Sequence, residues 1–104
     1  MTYSQAKNLL FADKVRASVR RIKKGNTLSY GEVANLAGSP NASRAVGSIM
    51  KNNYDKTVPC HRVVRADGAI GEYNRGGSDK KRKLLKSEGV RFTKEGRVDP
   101  TLAS

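Results

Sequence analysis

Cys60 and His61 stand side by side in the segment VPCHRVVRADGAIG, and they are the only cysteine and the only histidine of the chain. A thiol attacks only as its thiolate, so a reactive cysteine needs a base or a cation close by. Histidine is the side chain that exchanges a proton near neutral pH. Pro59 stiffens the backbone directly before the pair. The dipeptide therefore predicts an activated nucleophile or, as its commoner meaning, a buried thiol beside a hydrogen-bonded histidine.

The segment from Val58 to Ile70 is rich in residues that favour β-strands, and Asp67-Gly68 is a typical turn within it. It predicts a short β-hairpin. Neighbouring side chains of an extended segment point to opposite sides, so we expect a water molecule, not a direct contact, to connect Cys60 with His61. One cysteine and one histidine do not complete a metal site, and we expect neither a metal nor a cofactor.

The chain is strongly basic, with 21 Lys and Arg against 9 Asp and Glu, a formal charge of +12 and a pI near 10.3. Such a surface attracts polyanions, and nucleic acid is the first candidate partner. An acidic membrane is the second, but no long apolar run is present and aromatic residues make up only 6% of the chain, so we expect no membrane binding. A lone cysteine cannot form an internal disulfide, and no signal peptide is visible. We therefore expect a cytoplasmic protein, nucleoid-associated or nuclear according to its source.

The N-terminal half predicts three helices. Apolar residues from Leu10 onward recur at helical spacing between basic residues, which predicts a long amphipathic helix. Ser29 and Glu32 have the spacing of a capping box at the start of a second helix. Ser39 is a candidate cap for a third helix, from about Pro40 to Lys51. Two short helices joined by a glycine-containing turn suggest a helix-turn-helix, in which the second helix docks on DNA.

The C-terminal half predicts one more helix, from Ser78 or Asp79 to Glu88, after the glycine-rich stretch GEYNRGGS. Residues 90–98 suggest a short strand pair. Residues 1–8 and 99–104 suggest loosely held ends.

A chain of 104 residues suffices for one domain and not for two. We therefore predict a single domain over residues 1–104 with a mainly α fold of the α+β class. It is expected to be winged-helix-like, with a helix-turn-helix, a short β-hairpin and a C-terminal helix.

Four stretches in order, RAVGSIM, VPCHRVV, GAIGEYNRGG and KRKLLKSEGV, resemble the C-terminal catalytic domain of the O6-alkylguanine-DNA alkyltransferases, also called methylated-DNA–protein-cysteine methyltransferases. The P-C-H-R-V core is specific to that family, and the resemblance covers roughly residues 8–92. It implies a DNA repair protein that flips O6-alkylguanine out of double-stranded DNA. The alkyl group would pass irreversibly to the protein's own cysteine, once per molecule. We expect a monomer.

The resemblance also implies a catalytic set. Cys60 matches the alkyl acceptor, His61 the water-linked base that deprotonates it, and Glu88 the carboxylate that orients this histidine. Tyr30 matches a tyrosine near the start of the second helix that turns a DNA phosphate and helps to push the nucleotide out. The same tyrosine is a candidate proton donor to the departing guanine.

Two further sets follow from the resemblance. Arg44, in SRAVG, matches the arginine that fills the gap left in the base stack. The other DNA-binding candidates on this helix are Ser43, Ser48 and Lys51, beside Tyr30. The hinge and substrate pocket are expected to comprise Asn53, which matches a hinge asparagine, with Val58, Pro59, Tyr73 and Asn74.

The chain departs from the family pattern at two places, and two other functions stay open. Tyr54 follows Asn53 where the family usually has a proline, and Arg75 places a cation in the pocket loop. One alternative is an alkyltransferase-like lesion sensor, which binds alkylated guanine but carries a residue other than cysteine at the acceptor position. Cys60 argues against that reading. The other alternative is a plain helix-turn-helix DNA-binding module with an inert thiol.

Overall fold

The described part of the protein folds as four α-helices around two short strands. The computed structural model describes residues 3–71 and 73–99, with the backbone alone for residues 3–9. The helices are α1 (Tyr3–Arg20), α2 (Tyr30–Leu36), α3 (Ser43–Lys51) and α4 (Gly77–Ser87), the strands are β1 (Leu28–Ser29) and β2 (Val63–Val64), and a 3₁₀ turn covers Cys60–Arg62. The predicted mainly α fold is confirmed. No helix of the described part is long and apolar enough to cross a bilayer.

The core consists of two clusters of buried side chains that meet at β2. The larger cluster lies between α1, α2 and α3 and includes Cys60. The smaller cluster joins α4, through Leu85, to the C-terminal segment. Val63 belongs to the larger cluster and Val64 to the smaller one, because neighbouring side chains of a strand point to opposite sides. The strand that follows Cys60 is therefore held from both sides.

A side-chain cap marks the start of α2 but not the start of α3. Ser29 Oγ accepts a hydrogen bond from the Glu32 N–H at 3.0 Å, and Glu32 Oε1 accepts one from the Ser29 N–H at 2.9 Å, so the predicted capping box of α2 is confirmed. The predicted cap at Ser39 is wrong. Ser39 O accepts from the Ala42 N–H in a turn, and α3 begins only at Ser43, without a side-chain cap.

The N-terminal helix starts earlier than the pattern of apolar residues predicts. α1 begins at Tyr3, within the stretch 1–8 that we expected to be loosely held. Of the stretch 99–104, only Asp99 lies within the described residues. The expectation that residues 100–104 are loosely held concerns a part of the chain outside the described residues.

The strand pairing differs from the predicted hairpin, because β2 pairs in parallel with β1. The turn expected at Asp67-Gly68 is present, and Gly68 occupies it with a φ of 86°. After the turn, Gly68 O accepts from the Val98 N–H at 2.8 Å, so the C-terminal segment takes the place of the second hairpin strand. This segment closes on itself by a single antiparallel bridge between Phe92 and Val98. Since β1 leads into α2 and β2 follows the 3₁₀ turn, the parallel pair holds the start of α2 beside that turn.

Ser29→Ala removes the side-chain half of the capping box on α2. We expect the free energy of unfolding to fall by about 1 kcal/mol, because first-turn N–H groups lose their acceptor. Urea denaturation measures the change. Ser39→Ala is the matched control, since Ser39 does not cap α3, and it should change the free energy by less than about 0.5 kcal/mol. Equal losses in both variants would contradict the assignment of the cap.

Candidate functional site

A tight backbone turn sets the direction of the Cys60 side chain. Pro59 has φ −78° and ψ 68°, and the Cys60 N–H donates to Val58 O at 2.8 Å, which together define an inverse γ-turn. Proline suits this turn because its ring holds φ near about −65°. The Arg62 N–H then donates to Pro59 O at 2.9 Å and opens the 3₁₀ turn. The extended geometry predicted here is wrong, and successive side chains of a 3₁₀ turn diverge by about 120°, so Cys60 and His61 face different surroundings.

His61 and Arg62 both reach Glu88, which follows α4. His61 Nε2 lies 2.9 Å from Glu88 Oε2, and Arg62 donates to Oε1 at 3.0 Å and to Oε2 at 2.8 Å. The Glu88 side chain is only 8% exposed. Because an ionised carboxylate only accepts hydrogen bonds, His61 Nε2 carries the proton, and Nδ1 is the basic atom of the neutral ring. The contact with Glu88 therefore decides which ring nitrogen is able to take up a proton.

The surroundings of Glu88 keep its carboxylate ionised. Burial by itself raises the pKa of Glu88, but hydrogen bonds from Arg62 and His61, together with their charges, more than offset this effect, and the net pKa lies below the ordinary value of 4.5. Arg62 also donates to Ile22 O, just beyond α1, at 2.8 Å. Arg62 is not among the predicted site residues, although its place directly after His61 is a signal for it. It joins α1, the 3₁₀ turn and the end of α4.

Cys60 lines a cleft of about 940 Å³ that extends over the outward face of α3. The predicted site residues on the wall of the cleft are Tyr30, Ser43, Arg44, Ser48, Lys51, Cys60, Tyr73 and Asn74. The other lining residues are Gly47, Met50, Arg65, Gly71, Gly77 and Ser78. The structure thus brings the thiol, the tyrosine at the start of α2 and the predicted docking helix to one cavity.

α3 presents a polar face to this cleft and an apolar face to the core. Val46 and Met50 are buried. The exposed residues on the other side are Ser43, Arg44, Ser48 and Lys51. A Cβ added to Gly47 would meet nothing within 4 Å, so the space over the middle of this face is open. Small and basic groups on one helix face permit a close approach to a phosphate backbone.

Asn74 ties the pocket loop to the end of α3. Its Nδ2 donates to Lys51 O at 2.7 Å and to Asn53 O at 2.8 Å. The buried side chain of Asn53 in turn donates to Asp55 O and accepts from the Asp55 N–H. Val58 is fully buried. Asn53 and Val58 therefore support the cleft from behind its wall.

Tyr73, in the pocket loop, packs against His61. Its ring lies edge-on to the His61 ring, with centroids 6.4 Å apart and an interplanar angle of 73°. Burial first, and then the charge of Cys60, raise the pKa of Tyr73, and the positive charge of Arg75 acts in the opposite direction. Arg75 is not one of the residues that line the cleft. The cation expected in the pocket loop therefore does not form part of the cleft wall.

A buried lysine that is absent from the predicted site stands behind Tyr30. Lys81 is 1% exposed, and its Nζ donates to the Tyr30 hydroxyl at 3.5 Å. Burial lowers the pKa of Lys81 to about 8, whereas negative charge on Cys60 acts in the opposite direction. The sequence holds one signal for it: Lys81, Leu85 and Glu88 recur at the spacing of one helix face.

Arg62→Met tests the contact that holds Glu88. We expect the free energy of unfolding to fall by about 3 kcal/mol, because a buried carboxylate loses its principal partner. Adding Glu88→Gln should recover more than half of that loss, since the uncompensated charge disappears. Arg97→Met breaks the exposed ion pair with Asp67 and serves as control, with an expected loss below about 1 kcal/mol. Additive losses in the double variant, measured by urea denaturation, would contradict the coupling.

The sequence matches a family model described as 6-O-methylguanine DNA methyltransferase, DNA binding domain, over residues 10–90. It is 53% identical over 70 residues to the methylated-DNA–protein-cysteine methyltransferase of Mus musculus, in an alignment that takes in 66% of this chain and 33% of that protein. The matched part of the chain thus spans from about a fifth to just under half the length of the curated relatives.

Two solved structures share the fold. The crystal structure of Mycobacterium tuberculosis OGT in complex with DNA has a TM-score of 0.72 and 42% identity, over 76% of this chain and 48% of that one. The crystal structure of S. pombe Atl1 in complex with damaged DNA containing O6-carboxymethylguanine has a TM-score of 0.77 and 30% identity, over 100% of this chain and 98% of that one. The matched residues 10–90 include all the residues that line the cleft, and also His61 and Glu88. The chain therefore belongs to the family of 6-O-methylguanine DNA methyltransferase DNA-binding domains.

Proposed function

We propose that this protein repairs DNA by moving the alkyl group of O6-alkylguanine to its own Cys60, once per molecule. The observation that carries the proposal is the place of Cys60, which lines the same cleft as the exposed face of α3, with His61 and Glu88 paired behind it. Its relatives in Mus musculus and Homo sapiens are named methylated-DNA–protein-cysteine methyltransferases. The partner is double-stranded DNA that contains O6-alkylguanine.

The reaction is a displacement at a saturated carbon. His61 takes the thiol proton on Nδ1 through a water molecule, and Glu88 holds the imidazolium that results. The Cys60 thiolate attacks the alkyl carbon, a C–S bond forms, and the C–O bond breaks with its electron pair passing to guanine. Guanine takes up a proton from Tyr30 and leaves as a neutral base. The thioether product has no carbonyl that water could attack, so Cys60 stays alkylated.

The outward face of α3 docks on the DNA in this proposal. A guanine inside the duplex is out of reach of a buried thiol, and flipping it out costs a few kcal/mol. Arg44 offsets part of that cost by filling the gap in the base stack. Ser43, Ser48 and Lys51 contact the phosphate backbone, and Tyr30 turns the phosphate of the flipped nucleotide. Exposure of this face beside the thiol supports the assignment.

Binding and chemistry belong to one domain over residues 1–104, with Cys60 as its catalytic centre. Asn53 is the hinge between α3 and the Cys60 turn, and its contacts with Asp55 and Asn74 support this role. The walls of the alkyl pocket are formed or backed by Val58, Pro59, Tyr73 and Asn74.

A lesion sensor is the second candidate, and one of the structural matches favours it. S. pombe Atl1 aligns over 98% of its chain and was solved with damaged DNA. A sensor would bind the alkylated base and leave it intact. The thiol on the cleft wall, with a base and a carboxylate behind it, favours transfer, because recognition alone needs no nucleophile.

Incubation with duplex DNA that holds one O6-methylguanine should add a single methyl group to the protein. Intact-protein mass spectrometry with peptide mapping locates it on Cys60. Cys60→Ala should abolish the addition and still bind the same duplex, because binding depends on α3 and the basic surface. Lesion binding by the unaltered protein without a mass change would instead establish the sensor. Binding that ignores the lesion would establish the plain DNA-binding module.

Arg44→Ala should slow transfer from duplex O6-methylguanine by about tenfold or more, because the flipped state loses the group that fills the stack. Transfer from the free O6-methylguanine base should be unchanged, since no stack needs filling. Single-turnover rates on both substrates measure the contrast. Arg21→Ala, which removes an exposed cation outside the cleft, controls for the loss of charge. Equal slowing on duplex and free base would refute the role.

A further inference from the structure

Most of the basic side chains of this protein lie outside the cleft. The chain has 21 Lys and Arg, but the cations that line the cleft among the described residues are Arg44, Lys51 and Arg65. A denser group lies on the outside of α4, and we call it the α4 basic surface: Lys80, Arg82, Lys83 and Lys86. None of its members lines the cleft. Docking of α3 on DNA therefore leaves a large part of the formal charge of +12 without a role.

The α4 basic surface faces away from the cleft. Lys81 Nζ lies 3.5 Å from the hydroxyl of Tyr30, which lines the cleft, so this side of α4 faces inward. Successive residues of an α-helix are about 100° apart, so Lys83 projects from nearly the opposite side. Lys80 and Lys86 flank Lys83 about one turn before and after it, and all three are exposed. A duplex docked on α3 is consequently on the far side of α4 from Lys83.

The cations of this surface have no acidic partner among the described residues. The ion pairs of that part of the chain involve Arg16, Arg20, His61, Arg62 and Arg97. Asp79 stands four residues before Lys83, but the two form no ion pair. Arg82 and Lys86 repel each other at the same spacing, and the helix dipole opposes Lys80 in the first turn. The negative charge that would balance this surface must therefore come from outside the described chain.

Phe92 holds two of these cations in place. Arg82 Cζ lies 5.9 Å and Lys86 Nζ 5.7 Å from the centre of the Phe92 ring. The bridge between Phe92 and Val98 fixes the ring in turn. A Cβ added to Gly96 would lie 3.6 Å from Arg82 Nη1, so the guanidinium also packs over this turn. Side chains that are ordered before binding lose less freedom when they meet a phosphate.

We propose that the α4 basic surface binds a second segment of duplex DNA while α3 holds the first. Its partner is the phosphate backbone, and the binding is independent of sequence and of alkylation, because contacts with phosphate carry no sequence information. One molecule then joins two segments and passes from one to the other without leaving the DNA. This goes beyond the proposed alkyl transfer and does not depend on it, since Cys60 takes no part.

A duplex fits this surface better than an acidic membrane does. Binding in the plane of a membrane needs exposed apolar side chains beside the cations. The large exposed apolar side chains of the described residues are Leu10, Leu36 and Tyr54, and none of them belongs to α4. Phe92 is half-buried and packs against the core cluster of Leu85. The surface therefore offers charge and little apolar area, which is the pattern that a phosphate backbone requires.

The test is whether the protein bridges two undamaged duplexes. A biotinylated duplex on streptavidin beads is loaded with protein, washed and offered a second, fluorescent duplex. The unaltered protein should retain the second duplex. The triple variant Lys80→Gln, Lys83→Gln, Lys86→Gln should retain about tenfold less or lower still, because three phosphate contacts are lost. Glutamine keeps the helix propensity of lysine close to unchanged.

A matched control removes the same charge elsewhere. Lys14→Gln, Lys23→Gln, Lys24→Gln replaces three exposed lysines that do not line the cleft, and it should still bridge. Fluorescence anisotropy should show that both triple variants bind a first duplex within about threefold of the unaltered protein, because α3 is intact. Sedimentation velocity shows whether each complex contains one protein molecule, and urea denaturation confirms that the variants are folded.

Equal retention of the second duplex by the two folded triple variants would overturn the proposal. So would a complete lack of bridging by the unaltered protein. If the unaltered protein instead retains vesicles of phosphatidylserine and phosphatidylcholine, the surface binds an acidic membrane and the proposal fails. Since the duplexes carry no lesion, bridging without methyl transfer would sink the proposed function alone. Methyl transfer without bridging would sink the second surface alone.

Discussion

The two-point contact between Arg62 and Glu88 is the interaction on which the site depends. It is made between two nearly buried side chains, and it joins the end of α4 to the 3₁₀ turn that carries Cys60. Arg62 extends the junction to α1 through Ile22 O. His61 then binds a carboxylate that Arg62 already fixes and keeps ionised, so the ring orientation and tautomer of His61 follow from its contact with Glu88. The proton transfer proposed for Cys60 depends on this arrangement. A mobile carboxylate would leave both nitrogens of the His61 ring equally available to take up the proton.

The basic side chains of this protein include an exposed set along α3 and one buried lysine, Lys81. The cations along α3 face the cleft from its exposed side, where they attract phosphate and are weakened by salt. Lys81 lies on the opposite, buried side, where its charge acts over a short range and with little screening. A single basic composition thus supplies two kinds of electrostatic effect. The outer set is exposed to solvent on the side of the cleft, and Lys81 is buried behind Tyr30.

The similarity to solved proteins bears on whether a protein with this fold transfers the alkyl group or only recognises the alkylated base. Atl1 of S. pombe aligns over nearly its whole chain, while the curated methyltransferases align over a minor part of theirs. The fold is shared with both kinds of protein, so neither fold nor length separates the two functions. The groups on and behind the cleft wall bear on the choice, because transfer needs a nucleophile and recognition does not. Here those groups are a thiol, an imidazole with a defined tautomer and an ionised carboxylate.

Several features could be predicted from the sequence because they depend on local rules. The capping box of Ser29 and Glu32, the amphipathic pattern of α3 and the turn at Asp67-Gly68 each need only a few adjacent residues. The candidate site was also within reach, because the run P-C-H-R-V places a nucleophile beside a base. The pairing of β2 could not be predicted from the sequence. Its two valines suit a hairpin and a parallel pair equally, and the choice depended on the position of β1, which is distant in sequence.

The sequence by itself therefore determined the helices, the basic character and the types of residue that could react. Only the tertiary structure decided their roles. It turned the extended segment predicted at Cys60 into a γ-turn and a 3₁₀ turn, brought His61 and Arg62 to the same carboxylate of Glu88, and separated Lys81 from the exposed lysines beside it. The physical reason is that the ionisation of Glu88, the tautomer of His61 and the contacts of Arg62 depend on burial and on partners that lie far away in the chain. Burial and contacts of this kind arise only in the folded protein, where the core packs around these side chains.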